Sequence, residues 1–197
     1  MNMIRQNIIL FFRDPKKLFG KLKETSDLKN SFLVFALVIG VYFIGSPQIA
    51  PVEIRFSIPG ALSRLISLIT LAGILFFSVI YESFYYFLFC KLLRKKVRFG
   101  AILSSVIYCS IPLIVLVILR AIFPINLTLY SLVGTKDLHP LLSVLYQRIG
   151  VFDIWISIME MIALKIIADM NYKIAAIIVL SSWAITIMLT YFLGITL

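Results

Sequence analysis

Residues 64–98 have the sequence RLISLITLAGILFFSVIYESFYYFLFCKLLRKKVR, and Glu82 is the only charged residue between Arg64 and Lys91. An apolar run of about 20 residues is long enough for a helix to cross the hydrocarbon layer of a bilayer. The run ends in a dense basic cluster formed by Lys91, Arg94, Lys95, Lys96 and Arg98. Such clusters are retained on the cytoplasmic side. This stretch therefore predicts a transmembrane helix that ends in the cytoplasm.

The composition of the whole chain agrees with this prediction. Of the 197 residues, 61% are hydrophobic and only 14% are charged, whereas about a quarter of the residues in a soluble domain are charged. A net charge of +10 would suit nucleic acid, but the basic residues flank the apolar segments. We therefore exclude nucleic acid and expect the lipid bilayer as a partner, with anionic lipids at the cytoplasmic face.

Hydrophobic segments divide the chain into two predicted parts, a cytoplasmic basic segment (1–30) and a membrane domain (31–197). The predicted spans are residues 31–47, 62–91, 100–123, 151–168 and 174–195. Pro112 should kink the third span and leave the carbonyl of Tyr108 without its usual donor. The predicted fold is an all-α integral membrane protein, a bundle of five transmembrane helices with an amphipathic interfacial helix at its N-terminus.

The distribution of basic residues predicts the orientation. Most of the 19 Lys and Arg residues lie in the N-terminal segment, in the 91–98 loop and in the connection between the last two spans. Because basic loops stay in the cytoplasm, we predict a cytoplasmic N-terminus and an exoplasmic C-terminus.

The N-terminal segment predicts a helix with one apolar face. Asp14 and Pro15 form a helix start signal, an N-cap followed by proline at the first helical position. A basic amphipathic helix of this kind lies in the headgroup layer of a membrane. The residues expected to contact the membrane surface are Lys16, Lys17, Leu18, Phe19, Lys21 and Leu22. The alternative is a solvated lead-in to the first span.

Two glutamates, Glu82 and Glu160, fall within predicted spans. Ionisable groups inside a membrane are costly and suggest a function. Counting residues from the cytoplasmic ends places both glutamates and Tyr108 near one level, close to the midplane. Ser157 and Asp153 share the helix face of Glu160 and complete a candidate polar site. These groups either hold the helices together, the interpretation that we favour, or form a proton relay, a cation site or a polar-substrate site.

Enzymatic motifs are absent from the sequence. The only histidine, His139, lies in a predicted outer loop, and Cys90 and Cys109 form no Cys-x-x-Cys pair. We find no Ser–His arrangement, phosphate-binding glycine loop or metal-ligand spacing. We therefore expect no catalytic residue, no cofactor and no metal site, and we predict that the protein is not an enzyme.

Three stretches carry a resemblance to a known family. They are FFRDPKKLFGKLKE at 11–24, KKVRFGAILSSVIYCSIP at 95–112 and GVFDIWISIMEMIALKI at 150–166. In these stretches the chain resembles bacterial members of the Ypt-interacting-protein (Yip) domain family. The resemblance implies five spans, a cytoplasmic N-terminus and a prokaryotic cytoplasmic membrane. Eukaryotic relatives bind small GTPases in vesicle traffic, and the family supplies no catalytic residues.

The leading functional hypothesis is a non-enzymatic membrane scaffold or organiser that recruits a partner at its cytoplasmic face. That partner is another protein or a second copy of the chain. The alternative is a small transporter or channel subunit, with a midplane proton, cation or polar-substrate site at Glu82 and Glu160. The two hypotheses belong to different classes, because a scaffold depends on its cytoplasmic surface and a transporter on its midplane carboxyl groups.

The predicted orientation can be tested by cysteine labelling in a background without Cys90 and Cys109. Cysteines introduced at Lys95 and Lys17 should react in intact cells only with membrane-permeant thiol reagents. A cysteine at Lys136 should react with impermeant reagents, because it would face the exoplasmic side. Labelling at position 95 by an impermeant reagent would contradict the orientation.

Overall fold

The described residues, 2–45, 60–122 and 150–193 of a computed structural model, form eight helices and no strand. In chain order the helices are α1 Asn2–Arg13, α2 Pro15–Glu24, α3 Leu28–Gly45, α4 Gly60–Leu92, α5 Phe99–Cys109, α6 Pro112–Ile122, α7 Val151–Ile167 and α8 Tyr172–Leu193. The all-helical fold class is thus confirmed for this part of the chain.

The predicted spans coincide with α3, α4, the pair α5 and α6, α7, and α8. Two of these segments, Ala72–Leu92 and Phe99–Leu119, are long and apolar enough to cross a membrane. The apolar stretches Leu28–Val41 and Tyr172–Met188 are shorter. The two longer segments are consistent with a membrane protein. That all five segments cross a membrane stays a prediction.

The centre of the bundle is α5, which packs against α2, α3, α4 and α7. Every residue from Ala101 to Cys109 is buried. A helix that is hydrophobic all round has to be covered on all sides. The long helix α4 packs against α5 and has one buried stripe, formed by Val79, Ser83, Tyr86 and Cys90. Its opposite side exposes large apolar residues such as Phe77 and Phe84.

The helix break at Pro112 is present, but its consequence differs from the prediction. Helix α5 ends at Cys109, and α6 begins at Pro112. Between them the chain forms a tight turn, in which the N–H of Ile111 donates to the carbonyl of Tyr108 at 3.1 Å. The expectation that this carbonyl loses its donor was wrong, because a three-residue turn supplies another donor where proline removes the usual one.

Helices α1 and α2 form a hairpin that packs along the bundle. As predicted, Asp14 caps α2, since its Oδ1 accepts from the N–H of Lys17 at 3.1 Å, and Pro15 begins the helix. At the tip of the hairpin Phe12 contacts Trp155 with ring centroids 5.9 Å apart. At its other end the carbonyl of Glu24 accepts from Nη1 of Arg98 at 3.2 Å. Helix α2 packs against α7 between these two ends.

The apolar face of α2 points into the protein. Leu18, Phe19 and Leu22 are completely buried, and α2 packs against α7 and α5. Their predicted contact with the membrane surface is therefore wrong, because neighbouring helices occupy the face that lipid would have covered. Lys16 and Lys17 remain exposed. Residues 2–24 belong to the bundle and do not form a separate surface segment.

Replacing Phe19 by alanine tests this burial. A completely buried phenylalanine leaves a cavity when truncated, so we expect the free energy of unfolding to fall by about 3–5 kcal/mol. The matched control is Phe84→Ala on α4, where the ring is 58% exposed and the change should stay within about 0.5 kcal/mol. Denaturant unfolding of the purified protein in detergent micelles measures both. Equal, small losses would contradict the buried position of α2.

Candidate functional site

Two carboxyl groups from different helices meet inside the bundle. Glu82 on α4 and Glu160 on α7 are within hydrogen-bonding reach of each other. Tyr86, one turn after Glu82, donates its hydroxyl to Oε2 of Glu160 at 2.8 Å. Glu160 is only 2% exposed, and Glu82 is half-buried. The structure thus brings together the two glutamates that the sequence placed at one level.

The contact between the carboxyl groups limits their combined protonation. An ionised carboxylate only accepts hydrogen bonds, whereas a protonated carboxyl group donates one. A hydrogen bond between Glu82 and Glu160 therefore requires at least one proton on the two groups. We call these residues the carboxyl pair, and with one shared proton the pair carries a single negative charge.

The architecture around α5 explains how the pair forms. Both α4 and α7 pack against α5, and Val106 of α5 lines the same cavity as the two glutamates. Long glutamate side chains reach across this surface from either side. Helical spacing of four residues places Glu82 and Tyr86 on one face of α4. The tyrosine can therefore bond the partner of the glutamate that precedes it.

The carboxyl pair faces a cavity of about 250 Å³. Each of the helices α3 to α8 contributes to its wall, and one apolar lining residue from each is, in that order, Phe35, Leu75, Val106, Leu113, Ile156 and Trp183. Concave and largely apolar sites with a few polar groups are the usual form of small-molecule sites. The arrangement can therefore hold a small molecule or transfer a proton between two carboxyl groups.

The predicted companions of Glu160 on α7 have different positions. Asp153 lines the same cavity, and its Oδ2 accepts from the N–H of Gly150 at 2.7 Å, which caps the start of α7. Ser157 is buried one turn before Glu160. Asp153 thus lines the cavity and also caps the start of α7.

Tyr108 does not join the carboxyl pair. Its hydroxyl accepts from Nδ2 of Asn7 at 2.8 Å, on the side of α5 that faces the N-terminal hairpin. The predicted level of Tyr108 along the bundle says nothing about the side of α5 from which its side chain projects. The prediction that Tyr108 belongs to the candidate site was wrong. Tyr108 and Val106 are two positions apart, about 200° around a helix, so they point to opposite sides of α5.

Around Tyr108 the structure forms a second polar cluster that sequence analysis missed. Asn7 also donates to Oδ2 of Asp27 at 3.2 Å, and Nζ of Lys21 donates to Oδ1 of Asn7 at 3.0 Å. Lys21 therefore bonds a neighbouring helix, which corrects its predicted contact with the membrane surface. We call Asn7, Lys21, Asp27 and Tyr108 the N-terminal cluster, and it links the hairpin to α3 and α5.

Adjacent tyrosines of α4 serve different neighbours. Tyr86 bonds Glu160, whereas the hydroxyl of Tyr85 lies 2.8 Å from Oγ of Ser181 on α8. Sequence analysis overlooked Tyr86, although its spacing of four residues from Glu82 was the available signal. Asn7 offered no comparable signal, because its buried partner lies 101 positions away in the chain. The predicted loop residue His139 lies outside the described residues.

Comparison with known proteins found one match. The family model of the Yip1 domain matches residues 9–193. This range includes the carboxyl pair, the cavity wall and all of the N-terminal cluster except Asn7. No curated protein and no solved structure shows significant similarity to the chain.

Substitution of Glu82 tests the bond within the carboxyl pair. Glu82→Gln should keep the fold, because an amide both donates and accepts. Glu82→Leu should lower the free energy of unfolding by about 1–2 kcal/mol, the scale of hydrogen bonds between helices in membranes. Unfolding in detergent micelles compares the two variants. If leucine were tolerated as well as glutamine, the bond would have no structural role.

Proposed function

The chain belongs to the Yip1 domain family, and on that premise we propose that it is a non-enzymatic membrane scaffold that recruits a partner at its cytoplasmic face. Family membership and the two long apolar helices indicate a membrane protein. Recruitment is our inference from the distribution of charge. The observation that carries it is a group of exposed cations at one end of the bundle.

The cations lie where several helices begin or end. Nζ of Lys95 donates to the carbonyl of Asp169 at 2.7 Å, and Arg98 bonds the carbonyl of Glu24 at 3.2 Å. These contacts bring the ends of α2, α4 and α7 and the start of α5 together. The exposed cations that we call the basic end are Lys23, Lys29, Lys91, Arg94, Lys96, Arg98 and Lys173.

A surface of this kind attracts negative charge. In the proposed orientation the basic end faces the cytoplasm, beside the anionic headgroups of that leaflet. The partner that fits it is a protein with an acidic surface, since rim charges steer association and suppress wrong partners. We propose further that five segments cross a prokaryotic cytoplasmic membrane, with the N-terminus in the cytoplasm and the C-terminus outside. Association with a second copy is compatible with this scaffold role.

Charge reversal at the basic end tests recruitment. The variant carries Arg94→Glu and Lys96→Glu, and the matched control carries Lys16→Glu and Lys17→Glu near the other end of α2. All four side chains are exposed, so neither variant should lose its fold. Quantitative mass spectrometry after cross-linking in cells should show partners that the first variant loses and the control keeps. Partners unaffected by the first variant would contradict the proposal.

The carboxyl pair supports a second candidate, a small transporter or channel subunit. Structural hydrogen bonds need no cavity beside them, yet here two hydrogen-bonded carboxyl groups face a cavity of about 250 Å³. Intramembrane carboxyl groups beside such spaces form proton and ion pathways in other proteins. In this function the pair would take up and release a proton or a cation.

Proton flux into vesicles tests the second candidate. The purified protein in liposomes should acidify the lumen under an imposed potential, as reported by an enclosed pH dye. Glu82→Gln should abolish the flux without unfolding the protein, because an amide side chain, unlike a carboxyl group, does not ionise at neutral pH. Tyr85→Phe, on the same helix but bonded to Ser181, serves as the control and should retain the flux. No flux above empty liposomes would count against this function.

A further inference from the structure

The cavity beside the carboxyl pair has two kinds of wall. Glu82 and Glu160 supply one part, and aromatic and aliphatic side chains such as Phe35, Leu75 and Trp183 supply another. We propose that it binds a small organic monocation, an ammonium group attached to a ring or short apolar chain. The inference rests on the second proposed function, whose ligand it names, and is independent of the scaffold role.

Charge selects a monocation. With one shared proton, the carboxyl pair carries one negative charge, which is the most that its hydrogen-bonded state can carry. A primary ammonium group brings one positive charge and three N–H donors, and the carboxyl oxygens accept such bonds. Charge-assisted bonds of this type are about twice as strong as neutral ones. A neutral ligand would leave the negative charge of the pair without a counter-ion.

The walls favour an organic cation over a metal ion. Calcium takes six to eight oxygen ligands, and magnesium demands six in an octahedron. Within the part of the chain that the structure describes, no three His, Cys, Asp or Glu residues are placed to hold a metal. Apolar side chains such as Val79 and Val106 line the cavity together with the glutamates. An ion surrounded by such groups gains few ligands, whereas the carbon skeleton of an amine gains contact.

The size of the cavity limits the ligand. An apolar cavity of about 150 Å³ accepts benzene, so about 250 Å³ leaves room for a ring and a short chain. Glu160 and Asp153 both line it, seven residues apart on α7, or about 10 Å along the helix axis. Trp183 and Phe35 line the wall, and aromatic rings of this kind attract cations. A phenylalkylammonium ion matches this volume, length and chemistry.

Equilibrium dialysis of the full chain in detergent micelles tests the proposal. The probes are 2-phenylethylamine, which is cationic at neutral pH, and its neutral counterpart 2-phenylethanol, with protein-free micelles as the blank. Saturable binding of one amine per chain is expected, with the alcohol at least about tenfold weaker because it forms no charge-assisted bond. Equal affinity for both probes, or no saturable binding of the amine, would overturn the proposal.

Variants then locate the site. Replacing both Glu82 and Glu160 by glutamine removes the negative charge at nearly constant volume. Amine affinity should fall at least about tenfold, while Tyr85→Phe should bind like the unmodified chain. A folded double variant that keeps full amine affinity would sink the assignment. If the double variant does not fold, the comparison of amine with alcohol on the unmodified chain still decides. Binding without flux in liposomes would leave this site intact and remove only the transport function.

Discussion

A carboxyl group buried in an apolar helix bundle has to find its hydrogen-bonding partners inside the protein, since neither lipid nor packed side chains can solvate it. Glu160 finds two, the carboxyl group of Glu82 and the hydroxyl of Tyr86. The same constraint explains the N-terminal cluster, in which Asn7 contacts three side chains from different parts of the chain. Among the described residues, Ser104 and Ser182 are exceptions whose hydroxyl oxygens are buried without a partner.

Both polar clusters depend on α5, the short central helix. The N-terminal cluster uses Tyr108 on one side of this helix, and Val106 on the other side lines the cavity of the carboxyl pair. Because α5 is buried along its length, neither cluster can shift without moving packed neighbours. The break at Pro112 ends the central helix just beyond both clusters. The cavity therefore continues past the end of α5, where Leu113 of α6 joins its wall.

The sequence predicted the level of a residue along the bundle better than the neighbours that its side chain meets. Counting residues along apolar runs placed Glu82 and Glu160 at one level, and the structure brings them into contact. The same count placed Tyr108 at that level, but its side chain points to the opposite side of α5. Helical spacing fixes which residues of one helix share a face, as it does for Glu82 and Tyr86. It does not fix which other helix that face meets, because that depends on packing between segments distant in sequence.

The hairpin of α1 and α2 is a second case in which the sequence identified a helix face but not what covers it. Periodicity identified an apolar face on α2, and lipid headgroups and a protein core satisfy such a face equally well. In the structure the apolar face of α2 packs into the protein core. As a result, the charged residues at the tip of the hairpin lie along the side of the bundle. Arg13, Asp14, Lys16 and Lys17 at the tip are exposed, and the tip lies beside Trp155 near the start of α7.

Charged groups do not remain in hydrocarbon, and the long side chains of Arg and Lys extend toward water to avoid it. If α7 crosses the membrane as proposed, the hairpin covers the side of α7 that lipid would otherwise contact. The charged tip must then reach water or headgroups along that side. With α7 in that position, the hydrocarbon layer around the bundle would be thinner beside the hairpin than beside the exposed apolar face of α4. The position of the hairpin itself rests on the burial of Leu18, Phe19 and Leu22, which holds α2 against the bundle.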